Sequence, residues 1–391
     1  MRLSMRIRPW HVATLCVLAA LGWQALLVHG RFDGDWSGLF YSGALIEPSP
    51  RVAVEHPYLF PKSTGFDGQY YHAVAHDPFH QDPQAFRYID APQLRYSRIL
   101  VPLLSYGLAL GRQGRIDSSF RLVLLAFLWL GVWSIAAIAV VRGASALTGA
   151  LFLAVPAVYM SLERGLVDLA SCSLLALTAW GALTKRNGVV WLGLAGALFN
   201  RADGWVLIAG FVAVSVVAKN FSQLALWLSA AIPKLVWDAV WGPKLPSVLL
   251  DPAKQLEYPF SFLFRILKSP RPYKDFAFWL YAGDYLAYLA MLLLIVIPLW
   301  RLRHKRDAAS VAVGLLALLS LAMSATPYYD YSEVYDFARH QSTLLTGLLI
   351  AFSAEGGVRL LVPLALITPR SMALVAYWAW QSLVIVLRAP R

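Results

Sequence analysis

The sequence predicts an all-α polytopic membrane protein, a bundle of about 11 to 12 transmembrane helices with a large polar loop after the first. Three observations carry that expectation. Of 391 residues, 59% are hydrophobic and only 14% are charged, and the mean hydropathy is +0.57. Apolar runs of about 18 residues, the length a bilayer demands, recur from Trp10 to the C-terminus. No soluble domain of comparable length interrupts them, so 1–391 reads as a single integral membrane domain: a first span at 11–29, a loop at 30–119, and short-looped spans over 120–391.

The formal charge of +12 does not mark a nucleic-acid binder. The bases fall in short clusters between apolar runs, where they set orientation in the membrane. Membrane lipids are the expected surroundings and nucleic acid is not an expected partner. Cys16 and Cys172 both lie inside apolar runs and read as small buried hydrophobes. At the N-terminus, Arg2, Arg6 and Arg8 precede the apolar stretch from Trp10 to Val28. That has the outline of a signal peptide, but the run is long and further spans follow, which favours an uncleaved anchor.

With basic clusters read as cytoplasmic, one path follows from an internal N-terminus. The first span exits and the loop from Arg31 to Ser119 stays outside. The segment 120–141 returns to Arg142, and 145–160 exits to a rim bearing Glu163, Arg164 and Asp168. Next, 166–184 returns to Lys185 and Arg186, 189–200 reaches Arg201 and Asp203, and 204–218 returns to Lys219. The segment 222–241 exits to a loop from Gly242 to Lys274. A span over 276–300 re-enters and ends at Arg301, Arg303, Lys305 and Arg306. Then 308–325 exits to a tyrosine- and acid-rich loop, Tyr328 to Arg339, and 341–354 returns. The tail, 358–388, reads as two short spans or one span with a re-entrant helix. Ile99 to Gly111 is too short to cross and lies between Arg98 and Arg112, so an interfacial helix is expected there. This path gathers the conspicuous acids and aromatics at one rim with the N-terminus cytoplasmic; the cell inner (plasma) membrane is the expected location.

The richest segment is Gly65-Phe66-Asp67-Gly68-Gln69-Tyr70-Tyr71-His72-Ala73-Val74-Ala75-His76-Asp77-Pro78. Asp67 to Asp77 can form a short helix stopped by Pro78, with Asp67, Tyr70, Tyr71 and Val74 on one face. A carboxylate so placed can take a proton from a hydroxyl, with aromatic neighbours for a sugar or lipid to lie on. It can equally serve as a helix cap. His72, His76 and His80 recur every four residues in the outline of a metal site, although Pro78 interrupts the series after His76. Asp33 and Asp35 have the spacing of a divalent-cation (Mg or Mn) ligand pair, and also that of an ordinary acidic turn. On the same side, Arg95, Arg98, Arg201, and Arg339 with His340 are natural partners for a lipid phosphate, or else anchors to lipid headgroups. Lys234, Asp238 and Asp284 stand within apolar runs, where charge is expected to be paired or to face a cavity.

The Gly65–Pro78 segment resembles the first-loop motif G-x-D-G-Q-x-Y-x-x-I-A-x-D-P of bacterial membrane proteins in the GT-C glycosyltransferase superfamily. It is also similar in layout to the first loop of the GPI mannosyltransferases. The likeness covers about 14 residues and extends to the layout of a span, a long loop with two juxtamembrane helices, and short-looped spans. Arg95 to Leu104 resembles the second such helix, and Asp168 resembles the family's rim acid. The second-loop D-x-D and the W-W-D-Y-G signature are not found, which disfavours an oligosaccharyltransferase. The resemblance implies transfer of a sugar from a polyprenyl-phosphate donor to a glycan, lipid or protein acceptor at the extracytoplasmic face. It casts Asp67 as general base, with Gln69, Tyr70, Tyr71 and Asp168 around the substrates; Arg95, Arg98, Arg201, Arg339 and His340 join them on their charge and position. The rival expectation is a transporter or flippase of lipid-linked intermediates, with a non-catalytic subunit of cell-envelope assembly behind it.

Overall fold

The computed structural model describes residues 7–242, 245, 277–323 and 338–388. Apolar sequence and sparse helix breakers give a chain built almost entirely of helices. Five are long and apolar enough to cross a membrane, or six if one bent pair counts as a single span. Five further apolar helices are shorter, at 10–17 residues. The protein is therefore an all-α polytopic membrane protein; among the described residues the one sheet is a parallel pairing of two-residue strands, β1 (Ser42–Gly43) with β2 (Leu59–Phe60).

The first helix, α1 (Pro9–Arg31), starts on a proline, whose fixed φ and missing N–H cost nothing in the first turn. The loop that follows carries four helices: α2 (Pro50–Ala53), α3 (Asp67–His76), α4 (Pro92–Ser97) and α5 (Leu100–Leu108). Val52, Tyr70, Ala73, Val74, Ile89, Tyr96 and Ile99 give this loop a small core of its own. The expected interfacial helix is α5, whose Leu104 and Leu108 remain exposed.

The next span, α6 (Ile116–Val141), is the hub, with 72% of its most apolar window buried. It begins four residues before the expected position, so Asp117 belongs to its first turn. The expected single span at 145–160 is instead a 3-10 run (Ala146–Ala154) meeting α7 (Pro156–Arg164) at 62°. Pro156 forces that break, because it has no N–H to continue the run and Val155 before it is held extended. Gly165 (φ +60°) then ends α7 in the left-handed conformation.

Three short apolar helices follow: α8 (Asp168–Leu183), α9 (Asn187–Asn200) and α10 (Asp203–Val217). Next, α11 (Phe221–Ser229) and α12 (Ile232–Trp241) together make one of the membrane-length runs, Phe221–Trp241, over the expected 222–241 span. The loop expected from Gly242 to Lys274 lies, beyond Gly242 and Leu245, outside the described residues, as does most of the Tyr328–Arg339 loop. The remaining helices are α13 (Ala277–Arg301), α14 (Ala308–Met323), α15 (Ser342–Glu355) and α16 (Val362–Arg388). The tail is thus one long helix after a short 3-10 turn, not two spans, and Pro369 sits within it.

Small residues let helices cross closely. A Cβ on Gly30 of α1 would lie 2.5 Å from Ser382 of α16, and one on Gly210 of α10 would lie 2.6 Å from Ala312 of α14. The charges noted within the apolar runs are paired. Lys234 pairs with Asp238 one turn away, and Asp284 of α13 with Arg370 of α16 at 2.6 Å.

Candidate functional site

The Gly-x-x-Gly spacing around Asp67 has a geometric cause. Gly65 takes φ +80°, which turns the chain into α3. Gly68 lies so near the end of α7 that an added Cβ would meet the Arg164 carbonyl oxygen at 1.8 Å. The first turn of α3 is thereby pressed onto the chain just before Asp168. The N-cap of α3 is Phe66, and Asp67 is the first helical residue, with no capping hydrogen bond. Its carboxylate is held by guanidinium groups.

Arg95 Nη2 donates to Asp67 Oδ1 at 2.8 Å, and Arg339 Nη1 lies 3.1 Å from Asp67 Oδ2. Arg95 is also gripped by Asp90 through Nε and Nη2, at 2.8 and 2.7 Å, and lies over the Tyr70 ring. The Tyr71 hydroxyl, fully buried, accepts from Arg98 Nη1 at 2.8 Å and from Arg95 Nη1 at 3.3 Å. Arg339 approaches Asp168 Oδ2 at 3.9 Å, and Arg201 pairs with Asp168 and, at 3.6 Å, with Asp203. His340 stands beside Arg339, Nε2 to Nη2 3.4 Å. The chain of contacts thus joins α3, α4, α8, α10 and the approach to α15 at one rim of the bundle.

Two members hold unspent binding capacity. Arg339 is 7% exposed, and its Nε and Nη1 make no hydrogen bond among the described residues despite the ion pairs. Arg98 bonds a phenol and has no carboxylate within ion-pair reach among the described residues. A buried guanidinium with unbonded donors, as Arg339 has, is what an oxyanion would satisfy, and the half-buried Arg98 adds a second positive charge beside it. Burial works to raise the Asp67 pKa, but Arg339 and Arg95 outweigh it and hold the carboxyl well below the usual carboxylate range. Burial, then Arg339, Arg201 and Arg98, hold His340 well below the ordinary imidazole value, so it is neutral. An aromatic shelf borders the group: Phe66 lies under Arg164 and Arg339, and Tyr41 stacks on Phe60 at 3.9 Å.

The expected residues Asp67, Tyr70, Tyr71, Arg95, Arg98, Asp168, Arg201, Arg339 and His340 therefore meet. Gln69 is engaged in the loop scaffold, accepting from Gly43 N at 3.1 Å and donating to the Thr64 carbonyl at 2.8 Å. Asp35 caps the 3-10 turn at Trp36–Phe40 through Ser37, and Asp33 (φ +52°) lies in the preceding turn. His72 and His76 turn inward on the buried side of α3, and His80 packs edge-on against Tyr96. Sequence reasoning missed Asp90, whose position before Ala91-Pro92 reads as a turn, and missed Glu55, Gln113 and Asp117 beside the histidines.

At the opposite end of α6, α8 and α13, a cavity of about 730 Å³ is lined by Arg142, Lys185, Arg301 and Lys305 above apolar walls. Glu355 pairs with both Arg301 and Lys305 there.

No protein-family model, curated protein or solved structure matches this chain.

Proposed function

We propose that the protein is a membrane glycosyltransferase of the GT-C type, moving a sugar from a polyprenyl-phosphate donor to a glycan, lipid or protein acceptor at the extracytoplasmic face of the inner membrane. One observation supports this above the others. A carboxylate at the head of α3 and guanidinium groups from distant parts of the chain, Arg98 and Arg339, converge where Arg339 still has buried donors to offer.

The chemistry is a single displacement. The acceptor hydroxyl oxygen bonds to the anomeric carbon as the bond from that carbon to the phosphate oxygen breaks, and the lipid phosphate leaves with the electron pair. Asp67 takes the hydroxyl proton, and Arg98 and Arg339 hold the charge on the departing phosphate. Paired as it is, Asp67 is a weak base. A donor phosphate that draws Arg339 onto itself removes the largest charge lowering the Asp67 pKa, so donor binding and base strength rise together. The test is transfer: purified protein is incubated with radiolabelled polyprenyl-phosphate sugars and membrane extract, and product must depend on Asp67.

A second reading, transport of a lipid-linked intermediate, draws on the opposite cavity and the 62° break before α7, since cavities and interrupted helices mark transport paths. It predicts movement of intact labelled lipid between leaflets of proteoliposomes with no change in the sugar bond.

A further inference from the structure

We propose that Glu55, His72, His76 and Asp117 form a structural zinc site that pins α3 to the head of α6. The four ligand atoms lie within 4.8 Å of one another, and both imidazoles are fully buried. His72 and His76 are one turn apart on α3, with their Nε2 atoms 3.1 Å from each other. Asp117 Oδ1 is 2.6 Å from His72 Nε2, and Glu55 Oε2 is 3.7 Å from His76 Nε2. Donors placed about 2.0 to 2.2 Å from a tetrahedral zinc stand roughly 3.3 to 3.6 Å apart, and the observed separations bracket that spacing. Two imidazole nitrogens with two carboxylates suit zinc; magnesium takes oxygen donors and keeps its waters.

The surroundings fit ligation. His76 Nδ1 lies 2.5 Å from Gln113 Oε1, so Nδ1–H donates to the amide and the lone pair on Nε2 faces the cluster. The His72 ring is held flat against Phe40, with centroids 3.8 Å apart and planes 3° from parallel. The two imidazoles thus turn the same ring atom, Nε2, toward one another. Glu55 Oε1 and His72 Nδ1 are also buried with no hydrogen bond among the described residues. A divalent ion among the four ligands would balance the two half-buried carboxylates. Four protein ligands leave no open coordination position, so the site is structural. It joins the segment after α2, α3 itself and the first turn of α6, and it stands whether or not Asp67 is catalytic.

The test is elemental analysis of the full chain, purified without a polyhistidine tag and incubated with zinc. We expect about one zinc per chain and, with cobalt(II) in its place, the intense visible bands of tetrahedral coordination. A chelator should lower the melting temperature, and zinc but not magnesium should restore it. The double variant His72→Ala/His76→Ala should lose the metal, and Gln113→Ala should weaken zinc affinity about 10- to 100-fold. Wild-type protein that retains no zinc and shows no cobalt bands contradicts the proposal without recourse to any variant, and leaves a plain hydrogen-bond network from His72 to Asp117. Zinc retained by the double variant, or a melting temperature unmoved when the metal is stripped, contradicts it too.

Discussion

Arg98 and Arg339 differ from the other basic residues of the rim in what they still have to give. Arg95 is saturated by Asp90, Asp67 and Tyr71, whereas Arg339 keeps two unbonded donors. A charge-assisted hydrogen bond contributes about 1.5 to 3 kcal/mol. Arg98→Ala and Arg339→Ala should therefore each weaken use of a lipid-linked donor about 10- to 150-fold. Lysine at either position keeps the charge but loses the planar fork, and should recover only part. Donor kinetics of the four variants decide this; unchanged donor dependence in both alanine variants would make these arginines lipid anchors. The same pairing fixes a pH dependence. Because Arg339 lowers the Asp67 pKa, Asp67 is ionised across the physiological range, and activity should fall only in strong acid. Arg339→Gln removes that influence, the Asp67 pKa rises, and the acid limb of kcat/KM should move to higher pH. Residue identities at this site were legible because acids are few in so apolar a chain and gather in its polar loops beside arginines and tyrosines. The partners Asp90 and Asp117 were not, since each has the local pattern of a turn or a helix start, and only long-range folding assigns it a partner.

Gly68 links the motif to the architecture. Its missing Cβ lets the first turn of α3 lie against the Arg164 carbonyl, and that contact sets where Asp67 stands relative to Asp168 and Arg339. Gly68→Ala should displace α3 and cost about 1 to 3 kcal/mol, as overpacking does. Measured transfer should drop at least as far as the melting temperature implies. A variant of full activity and stability would show that α3 can shift without consequence. The extent of α3 and the existence of a helix at α5 could be read directly, because proline stops and run lengths are local properties. The break at Pro156 was missed because the apolar run continues through it, and hydropathy does not register a lost N–H. The tail was divided in two on length alone, yet Pro369 is accommodated within one long helix.

Across the whole molecule, α6 runs about 39 Å from the loop rim to the basic cavity. The polar residues separate accordingly: Asp67, Asp168, Arg201 and Arg339 at one end, Arg142, Lys185, Arg301 and Lys305 at the other. Alternating basic clusters made that separation visible in the sequence, whereas the cavity, formed by distant helices, had no local signal. If the basic end is cytoplasmic, His56→Cys and Thr64→Cys should react with an impermeant thiol reagent in intact cells, and Lys305→Cys should not. The native Cys16 and Cys172 are buried and give little background. Labelling of Lys305→Cys from outside would invert the orientation and remove the rim from the extracytoplasmic face. The central claim, that Asp67 is the base of a sugar transfer, is tested most directly by measuring labelled product from a panel of polyprenyl-phosphate sugars with wild-type protein, Asp67→Asn and Asp67→Glu. Wild type should form product, Asp67→Asn should form none while remaining folded, and Asp67→Glu, which keeps the charge and the pairing to Arg95 and Arg339, should retain a fraction. Turnover by folded Asp67→Asn near that of wild type would contradict the assignment.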